Sequence, residues 1–251
     1  MRIAVIIPVY NEEALVPLLF NRLINTPVPI ANDGKPCRRT IYLVNDGSTD
    51  QTKSIIDRFA KRDDTTAIHL PMNLGKGSAL KAGIKAALDD NADAMIIQDS
   101  DLEYDPHEHD AMLKPILDGR ADAVIGTRFL GQTHRVLYYW HSIANRLITL
   151  TSNMMSNLNL TDIECGFKAF TREAIEDIQI TELRFGVEPE LIAKLAKARI
   201  IDAAPNSISS PRPLRIYEVP ISYAGRTYEE GKKIGWKDGF EALWCILKHN
   251  I

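Results

Sequence analysis

The chain has 251 residues, a length typical of one large domain or two small ones. With 45% hydrophobic and 25% charged residues, it has the composition of an ordinary globular protein that folds without disulfides or a structural metal. Its 30 basic and 33 acidic residues leave a net charge of −3, a balance that argues against a general nucleic-acid-binding protein.

The cysteine pattern and the apolar runs indicate where the protein works. Cys37, Cys165 and Cys245 lie far apart, which is typical of free thiols in a reducing compartment. No signal peptide is visible, and no apolar run approaches the roughly 20 residues of a membrane-spanning helix. We therefore expect a cytoplasmic protein, and contact with the inner face of the membrane stays open.

Continuous apolar runs alternate with segments of helical spacing through the first 130 residues. The runs predict strands buried on both faces at Ile3–Val9, Thr40–Val44, Thr66–Leu70, Ala94–Ile97 and Ala121–Ile125. The segments between them predict helices at Val16–Ile24, Thr49–Ala60, Gly77–Leu88 and Pro106–Leu117. This alternation predicts an α/β fold with a mostly parallel central sheet and helices on both faces.

Two of these helices carry start signals. Ser48 and Gln51 match a capping box at the second helix, with Ser48 as the N-cap. Asp105 has the position of an N-cap at the fourth helix. His107 and His109 follow it, and we expect both to be exposed residues of the helix start rather than metal ligands.

The pattern changes after residue 130. The elements predicted there are a long helical stretch over His134–Leu158, a short strand at Gly166–Phe170, a helix near Val187–Ala198, a strand at Arg215–Val219 and a helix around Trp236–Lys248. Because no linker separates them from the sheet, we expect one domain over residues 1–251 with a C-terminal helical elaboration.

Polar residues follow the predicted strands, where ligands of open parallel sheets bind. They are Pro8–Glu12, Asn45–Ser48, Asn73–Gly77 and Asp99–Glu103. Asp99 and Asp101 point the same way if the chain is extended there, and such close carboxylates repel unless a cation lies between them. Oxygen ligands favour Mg²⁺ or Mn²⁺, with Glu103 as a further ligand. An acidic loop capping the next helix explains the spacing equally well.

Taken together, these segments resemble the family 2 glycosyltransferases. The segments that carry the resemblance are Ile6–Glu12, Val44–Asp50, Asn73–Gly77, Asp99–Asp101, Gly126–Phe129, Glu164–Lys168 and Arg226–Lys233. The later ones look most like the polyprenyl-phosphate sugar transferases, the dolichyl-phosphate mannose synthase group. The resemblance implies a GT-A fold, with residues 1–130 as the nucleotide-sugar-binding half and residues 131–251 on the acceptor side.

The resemblance also implies roles for single residues. Those placed around the base and ribose of the donor are Pro8, Tyr10, Glu12 and Asp46, with Lys76 also among the donor-binding residues. Asp99 and Asp101 match the DxD motif, which binds metal and diphosphate, and Glu103 follows them. Arg128 and Arg226 fall where such enzymes place arginines near the phosphates, and Lys232 matches a basic residue of the C-terminal segment.

We expect an inverting, metal-dependent transfer from a nucleoside diphosphate sugar to a polyprenyl phosphate. A hydroxyl acceptor, such as a saccharide, is the alternative; it would need a base, for which Glu188 and Glu190 are candidates. A more remote alternative is a non-catalytic nucleotide-binding module. The helical stretch at His134–Leu158 and the terminal helix both combine apolar and basic residues, as helices at a bilayer surface do. A core stripe or a homodimer interface fits the same pattern.

Overall fold

Strands and helices alternate along the chain as the apolar runs predict. The computed structural model describes residues 1–131, 133, 135–136, 138–201, 210–226, 229 and 236–251, with only the backbone for residues 236–238. The strands are β1 (Arg2–Val9), β2 (Arg38–Asn45), β3 (Thr65–His69), β4 (Ala94–Ile97), β5 (Ala123–Thr127), β6 (Lys168–Thr171), β7 (Arg199–Ile200), β8 (Arg212–Pro213) and β9 (Ile216–Pro220). The helices are α1 (Val16–Asn25), α2 (Thr52–Phe59), α3 (Lys76–Asp89), α4 (His109–Leu117), α5 (Tyr139–Ser156), α6 (Arg172–Ile175), α7 (Val187–Lys197) and α8 (Trp236–Asn250).

The main sheet is mostly parallel, as predicted. Its described strands lie in the order β3-β2-β1-β4-β6-β5-β9. Neighbours in the β3-β2-β1-β4 half pair in parallel, and so do β5 and β9. Strand β6 is the exception, because it runs antiparallel between β4 and β5. It joins the half of the sheet formed by the first strands to the half completed by β9.

Strand β1 shows why both faces of the sheet are apolar. Ile3, Val5 and Ile7 belong to a core cluster shared with α1 and α4, and Ala4 and Ile6 belong to a second cluster shared with α3 and α7. Successive side chains of a strand point to opposite faces, so a strand covered on both sides has an uninterrupted apolar sequence. Helices α5, α7 and α8 pack on one another over the second cluster. In the described part of the chain, no helix is long and apolar enough to cross a membrane.

The capping box predicted at Ser48 is wrong. Helix α2 begins at Thr52 with Gln51 as its N-cap, and the Asp50 side chain, not that of Ser48, accepts the N–H of Thr52 (3.0 Å). Ser48 instead donates its N–H to Asn45 Oδ1 (3.0 Å), and its Oγ accepts the N–H of Asn11 (3.0 Å). Its side chain joins the loops after β1 and β2, because a serine outside a helix readily bonds to nearby loop backbone. The cap predicted at Asp105 is confirmed.

One of the two histidines at the fourth helix is not exposed. His107 is exposed as expected, but His109 is only 2% exposed and its Nε2 lies 2.9 Å from Gln98 Oε1. A 3₁₀ turn precedes α4, so that His109 is the first residue of the helix. His109 lies three residues before Met112 and four before Leu113, and it therefore shares the helix face that packs on the sheet. The expectation that His109 is exposed is therefore wrong.

Candidate active site

A cleft of about 1570 Å³ opens beyond the carboxyl ends of β1, β2 and β4. The predicted donor-, metal- and phosphate-site residues that the structure describes all line it: Pro8, Tyr10, Glu12, Asp46, Lys76, Asp99, Asp101, Glu103, Arg128 and Arg226. Of the two candidate bases, Glu188 is among the residues that line the cleft and Glu190 is not. Lys232 lies outside the described residues. Parallel strands bring the loops that follow them to one edge of the sheet, and this brings together residues distant in sequence.

Asp46 shapes one wall of the cleft by holding the loop after β3. Its carboxylate accepts the N–H groups of Leu74 (2.9 Å) and Gly75 (2.8 Å). The next residue, Gly47, has φ +65°, and a Cβ there would lie 2.3 Å from the carbonyl carbon of Met72. Glycine is therefore required where the two loops meet.

Lys76, the first residue of α3, lies between two carboxylates. Its Nζ is 2.7 Å from Asp99 Oδ1 and 2.9 Å from Glu188 Oε1. Burial alone would lower the pKa of Lys76, but the two ion pairs outweigh it and raise the pKa above its usual value. Gly166 completes the position, because a Cβ there would lie 2.1 Å from Asp99 Oδ2. Lys76 thus stays charged and fixes the Asp99 carboxylate against a side-chain-free segment of backbone.

Arg226 contacts carboxylates on another wall of the cleft. Its Nη2 is 2.9 Å from Asp101 Oδ2, and its Nη1 is 3.7 Å from Glu12 Oε1. Glu103 accepts the backbone N–H of Arg226 with one oxygen (2.9 Å) and the Tyr223 hydroxyl with the other (2.9 Å). Glu103 therefore anchors the segment after β9, and its role as a metal ligand stays a prediction.

Asp99 and Asp101 fit a divalent cation by their chemistry. Burial raises the pKa of both carboxyls, and a neighbouring carboxylate raises each further, Asp101 for Asp99 and Glu103 for Asp101. Both carboxylates are also ion-paired, Asp99 with Lys76 and Asp101 with Arg226. Two neighbouring groups of hard oxygen donors match Mg²⁺ or Mn²⁺. Across the described ranges, no three His, Cys, Asp or Glu side chains converge closely enough to hold a metal ion.

Arg128 faces the cleft in a fixed orientation. Its Nε and Nη2 donate to the two oxygens of Asp162 at 2.6 and 2.8 Å, a bidentate pair. The guanidinium lies 5.1 Å from the ring centre of Tyr223. Burial would lower the pKa of Arg128, but Asp162 raises it above its usual value, so the charge persists.

The two carboxylates considered as bases are both ion-paired. Glu188 contacts Lys168 and Lys76; burial would raise its pKa, but these cations lower it. Glu190 accepts the backbone N–H of Thr181 (2.7 Å) and pairs with Lys194 on its own helix. Neither carboxylate is a free base in this structure.

Much of the apolar lining of the cleft comes from α5, the segment before it, and α8, and forms a groove. The apolar residues of this groove are Val136, Tyr139, Trp140, Leu147, Phe240 and Leu243. Polar residues of the same segments also line the cleft: Arg135, His141, Ser142, Asn145 and Arg146. Val136 is 89% exposed and Trp140 75% exposed. An ionic end and a solvent-open apolar groove thus share one cleft.

A sequence model described as Glycosyl transferase family 2 matches residues 4–179, which run from β1 past α6. The chain belongs to this family. As a member of family 2, it is a glycosyltransferase, and the resemblance inferred from its motifs is confirmed.

Two curated relatives of this family 2 glycosyltransferase are named as polyprenyl-phosphate enzymes. The undecaprenyl-phosphate mannosyltransferase of Micrococcus luteus is 27% identical over 246 residues, which cover 94% of this chain and 88% of that protein. The polyprenol monophosphomannose synthase of Mycolicibacterium smegmatis is 28% identical over 183 residues, which cover 72% of this chain and 65% of that protein.

A solved structure confirms the GT-A fold. Glucosyl-3-phosphoglycerate synthase from Mycobacterium tuberculosis, in complex with Mn²⁺, UDP-glucose and phosphoglyceric acid, matches with a TM-score of 0.69 and 18% identity. The match covers 98% of this chain and 79% of that chain.

Four further charged residues line the cleft of this family 2 glycosyltransferase and had no role in the sequence analysis. They are Arg135 from the segment before α5, Arg146, Glu164 and Arg184. Glu164 lies inside a segment that carried the family resemblance, so a signal existed for it. Arg184 packs against Gly75 from a distant loop, and no local pattern marks a single loop arginine of this kind.

Proposed function

We propose that this glycosyltransferase moves a sugar from a nucleoside diphosphate sugar to the phosphate of a polyprenyl phosphate. The observation that carries the proposal is the cleft that joins an ionic end to an apolar groove. A polyprenyl phosphate has matching parts, a charged headgroup and a long apolar chain. The polyprenyl-phosphate acceptors named for the two curated relatives support this acceptor.

We assign the donor to the ionic end. Asp99 and Asp101 would hold Mg²⁺ or Mn²⁺, with Glu103 nearby. When bound, this cation supplies positive charge for the diphosphate of the leaving nucleotide. Mn²⁺ and UDP-glucose in the solved relative support a divalent cation and a nucleotide sugar.

The chain's own cations and loops complete the donor site. Lys76, Arg128 and Arg226 are fixed positive groups that stabilise negative charge as it develops on the diphosphate. The residues assigned to the base and ribose are Pro8, Tyr10, Glu12 and Asp46. Lys232 would add a further positive charge from the C-terminal segment.

The acceptor needs no base. An oxygen of its phosphate attacks the anomeric carbon, and the bond to the donor diphosphate breaks with both electrons leaving on the nucleotide. Attack opposite the leaving group inverts the configuration. A phosphate monoester, with a second pKa near 6, is largely ionised at neutral pH. Because Glu188 and Glu190 are both ion-paired, this acceptor fits the site better than a hydroxyl does.

The two halves of one domain would divide the work. Residues 1–130 supply the donor loops, and residues 131–251 supply the apolar groove of α5 and α8. We propose that the exposed sides of these helices contact the membrane that holds the acceptor, from its inner face. A homodimer formed through the same helices is the competing interpretation.

A two-stage experiment tests the function. Thermal shifts with a panel of nucleoside diphosphate sugars and Mn²⁺ identify the donor by linkage. Transfer of the radiolabelled sugar is then compared on a polyprenyl phosphate, the matching polyprenol and a saccharide. We expect product only on the phosphate and only with a divalent cation. Product on the saccharide alone would overturn the acceptor assignment.

A further inference from the structure

Glu164 lines the cleft from the loop before β6, and no step described above uses it. Its Oε1 is buried and has no hydrogen-bond partner within the described part of the chain. Buried polar atoms in folded proteins nearly always have a partner. An unpaired oxygen in the wall of a ligand cleft therefore indicates a group that a ligand completes.

Four charged groups surround Glu164: Lys168 from β6, Glu188 from α7, Arg128 after β5, and Asp162 from its own loop. The two cations are already engaged, Lys168 with Glu188 and Arg128 with Asp162. Burial and the two anions raise the pKa of Glu164, whereas the two cations lower it.

These surroundings favour the protonated form. An ionised carboxylate without a donor is costly to bury, whereas a neutral carboxyl group is much less so. Burial, followed by the charge of Glu188, raises the pKa of Glu164 from 4.5 to about 7, although Lys168 acts in the opposite direction. A neutral carboxyl group also carries one O–H that can donate a hydrogen bond.

We propose that Glu164, as a neutral acid, donates a hydrogen bond to a phosphoryl oxygen of the acceptor and so selects a phosphate monoester over an uncharged alcohol. The inference rests on the proposed function and adds a specificity-determining residue to it. The proton stays on Glu164, no bond to it forms or breaks, and the displacement at the anomeric carbon is unchanged.

Acceptor affinity then depends on pH with a defined sign. Below the pKa of Glu164 the group donates to the phosphate, and above it a carboxylate repels the phosphate. Affinity is therefore present at low pH and falls by up to about tenfold per pH unit once Glu164 ionises. A bound phosphate dianion raises the pKa of Glu164 further, so the affinity begins to fall at the pKa of Glu164 in the free enzyme and levels off only at the higher pKa in the complex.

Calorimetric titration with farnesyl phosphate, in the presence of Mn²⁺ and the donor nucleotide, tests this at about pH 6.5 and about pH 8.5, on either side of the pKa. Wild type should lose at least about tenfold in affinity between these values. Glu164→Gln should bind with the same affinity at both pH values, since its amide donates a hydrogen bond at either pH. Glu164→Leu, without a donor, should bind weakly at both. The exposed Glu173→Gln should behave as wild type.

The outcomes separate this inference from the proposed function. Binding that weakens with pH equally in wild type and Glu164→Gln overturns the role of Glu164 alone. A Glu164→Gln enzyme that loses kcat while its acceptor KM is unchanged also overturns it, because the residue would then move a proton. Farnesyl phosphate that fails to bind wild type at either pH overturns both.

Discussion

At the scale of single residues, side chains of alternating charge form a series of ion pairs beneath the cleft. Lys168, fully buried in β6, pairs with Glu188; Glu188 pairs with Lys76, and Lys76 pairs with Asp99. Desolvation offsets most of the attraction in such buried pairs, so they contribute little net stability. Their effect is geometric: the Asp99 carboxylate is held by a series of groups that cannot move independently.

The sequence predicted donor-site roles for Asp99 and Lys76 and considered Glu188 as a base, but it did not predict the ion pairs that join these residues to Lys168. Asp99 and Lys76 follow strands and begin a helix, and that position marked them. Lys168 sits in a strand whose neighbours are apolar, and its partner Glu188 lies twenty residues away on another helix. A pairing of this kind depends on how α7 packs against the sheet, which local spacing does not encode.

We predict that Asp101→Asn abolishes metal-dependent transfer while leaving the fold intact. The change removes one of two adjacent carboxylates that a divalent cation would share. Mn²⁺ affinity, measured by titration calorimetry without donor or acceptor, should fall by at least about tenfold, a loss of roughly 1.4 kcal/mol. Thermal unfolding should stay close to that of wild type.

Two further variants separate metal binding from the ion pair with Arg226. Asp110→Asn, in the first turn of α4, changes an exposed carboxylate and should keep Mn²⁺ affinity. Arg226→Gln frees Asp101 of its 2.9 Å partner and should bind Mn²⁺ at least as well as wild type, but nucleoside diphosphate less well. Unchanged Mn²⁺ affinity and transfer in Asp101→Asn would contradict the metal assignment.

At the scale of elements, the continuous apolar runs were reliable because they report burial on both faces of the sheet. The antiparallel insertion of β6 between β4 and β5 could not be foreseen, since strand pairing joins residues about 75 apart. The Ser48 capping box failed for a related reason. Ser48 Oγ accepts the N–H of Asn11 from the loop after β1, and this contact exists only after β1 and β2 have paired.

The buried His109 at the start of α4 makes the stability of the protein sensitive to acid. Burial, with repulsion from Arg39, lowers the pKa of His109 from 6.5 to about 3. Below pH 6.5 the unfolded chain takes up a proton that the folded chain excludes. The free energy of unfolding should therefore fall by about 1.4 kcal/mol per pH unit as the pH drops from 6.5 toward 3.

Urea unfolding at about pH 7 and about pH 5 measures this contribution, because the interval lies across the titration of the unfolded imidazole. His109→Gln should lose less stability than wild type between the two values, since its side chain does not titrate. The exposed His107→Gln, two residues earlier, is the matched control and should follow wild type. If His109→Gln lost as much stability in acid as wild type, His109 could not be buried and neutral.

At the scale of the whole molecule, one face combines the mouth of the cleft with exposed apolar helices. Trp140 of α5 and Trp244 of α8 are 75% and 65% exposed, and the two helices pack side by side. Arg146 adds positive charge on α5, and Lys248 of α8 is paired with Glu182 (2.7 Å). Apolar and basic residues on adjacent helices are typical of surfaces that rest on anionic bilayers. Such a surface would bring the apolar groove to a membrane-held acceptor.

We predict that the double variant Trp140→Glu/Trp244→Glu loses binding to vesicles of phosphatidylcholine and phosphatidylglycerol. Each tryptophan that no longer enters the bilayer costs roughly 1.5–3 kcal/mol of binding free energy. The partitioning of the protein onto the vesicles should therefore fall more than about tenfold. Co-sedimentation with the vesicles measures it. Transfer to farnesyl phosphate in solution should persist in Trp244→Glu alone, because Trp244 is not among the residues that line the cleft, whereas Trp140 lines its apolar groove.

Leu18→Glu is the matched control, since Leu18 is an exposed apolar residue on α1, away from these helices. It should leave vesicle binding unchanged, which separates the effect of the face from the effect of added charge. Sedimentation velocity of the same proteins addresses the homodimer. If wild type is a dimer that the double variant dissociates, while vesicle binding is equal in both, the helices pair with a second copy and the membrane interpretation is wrong.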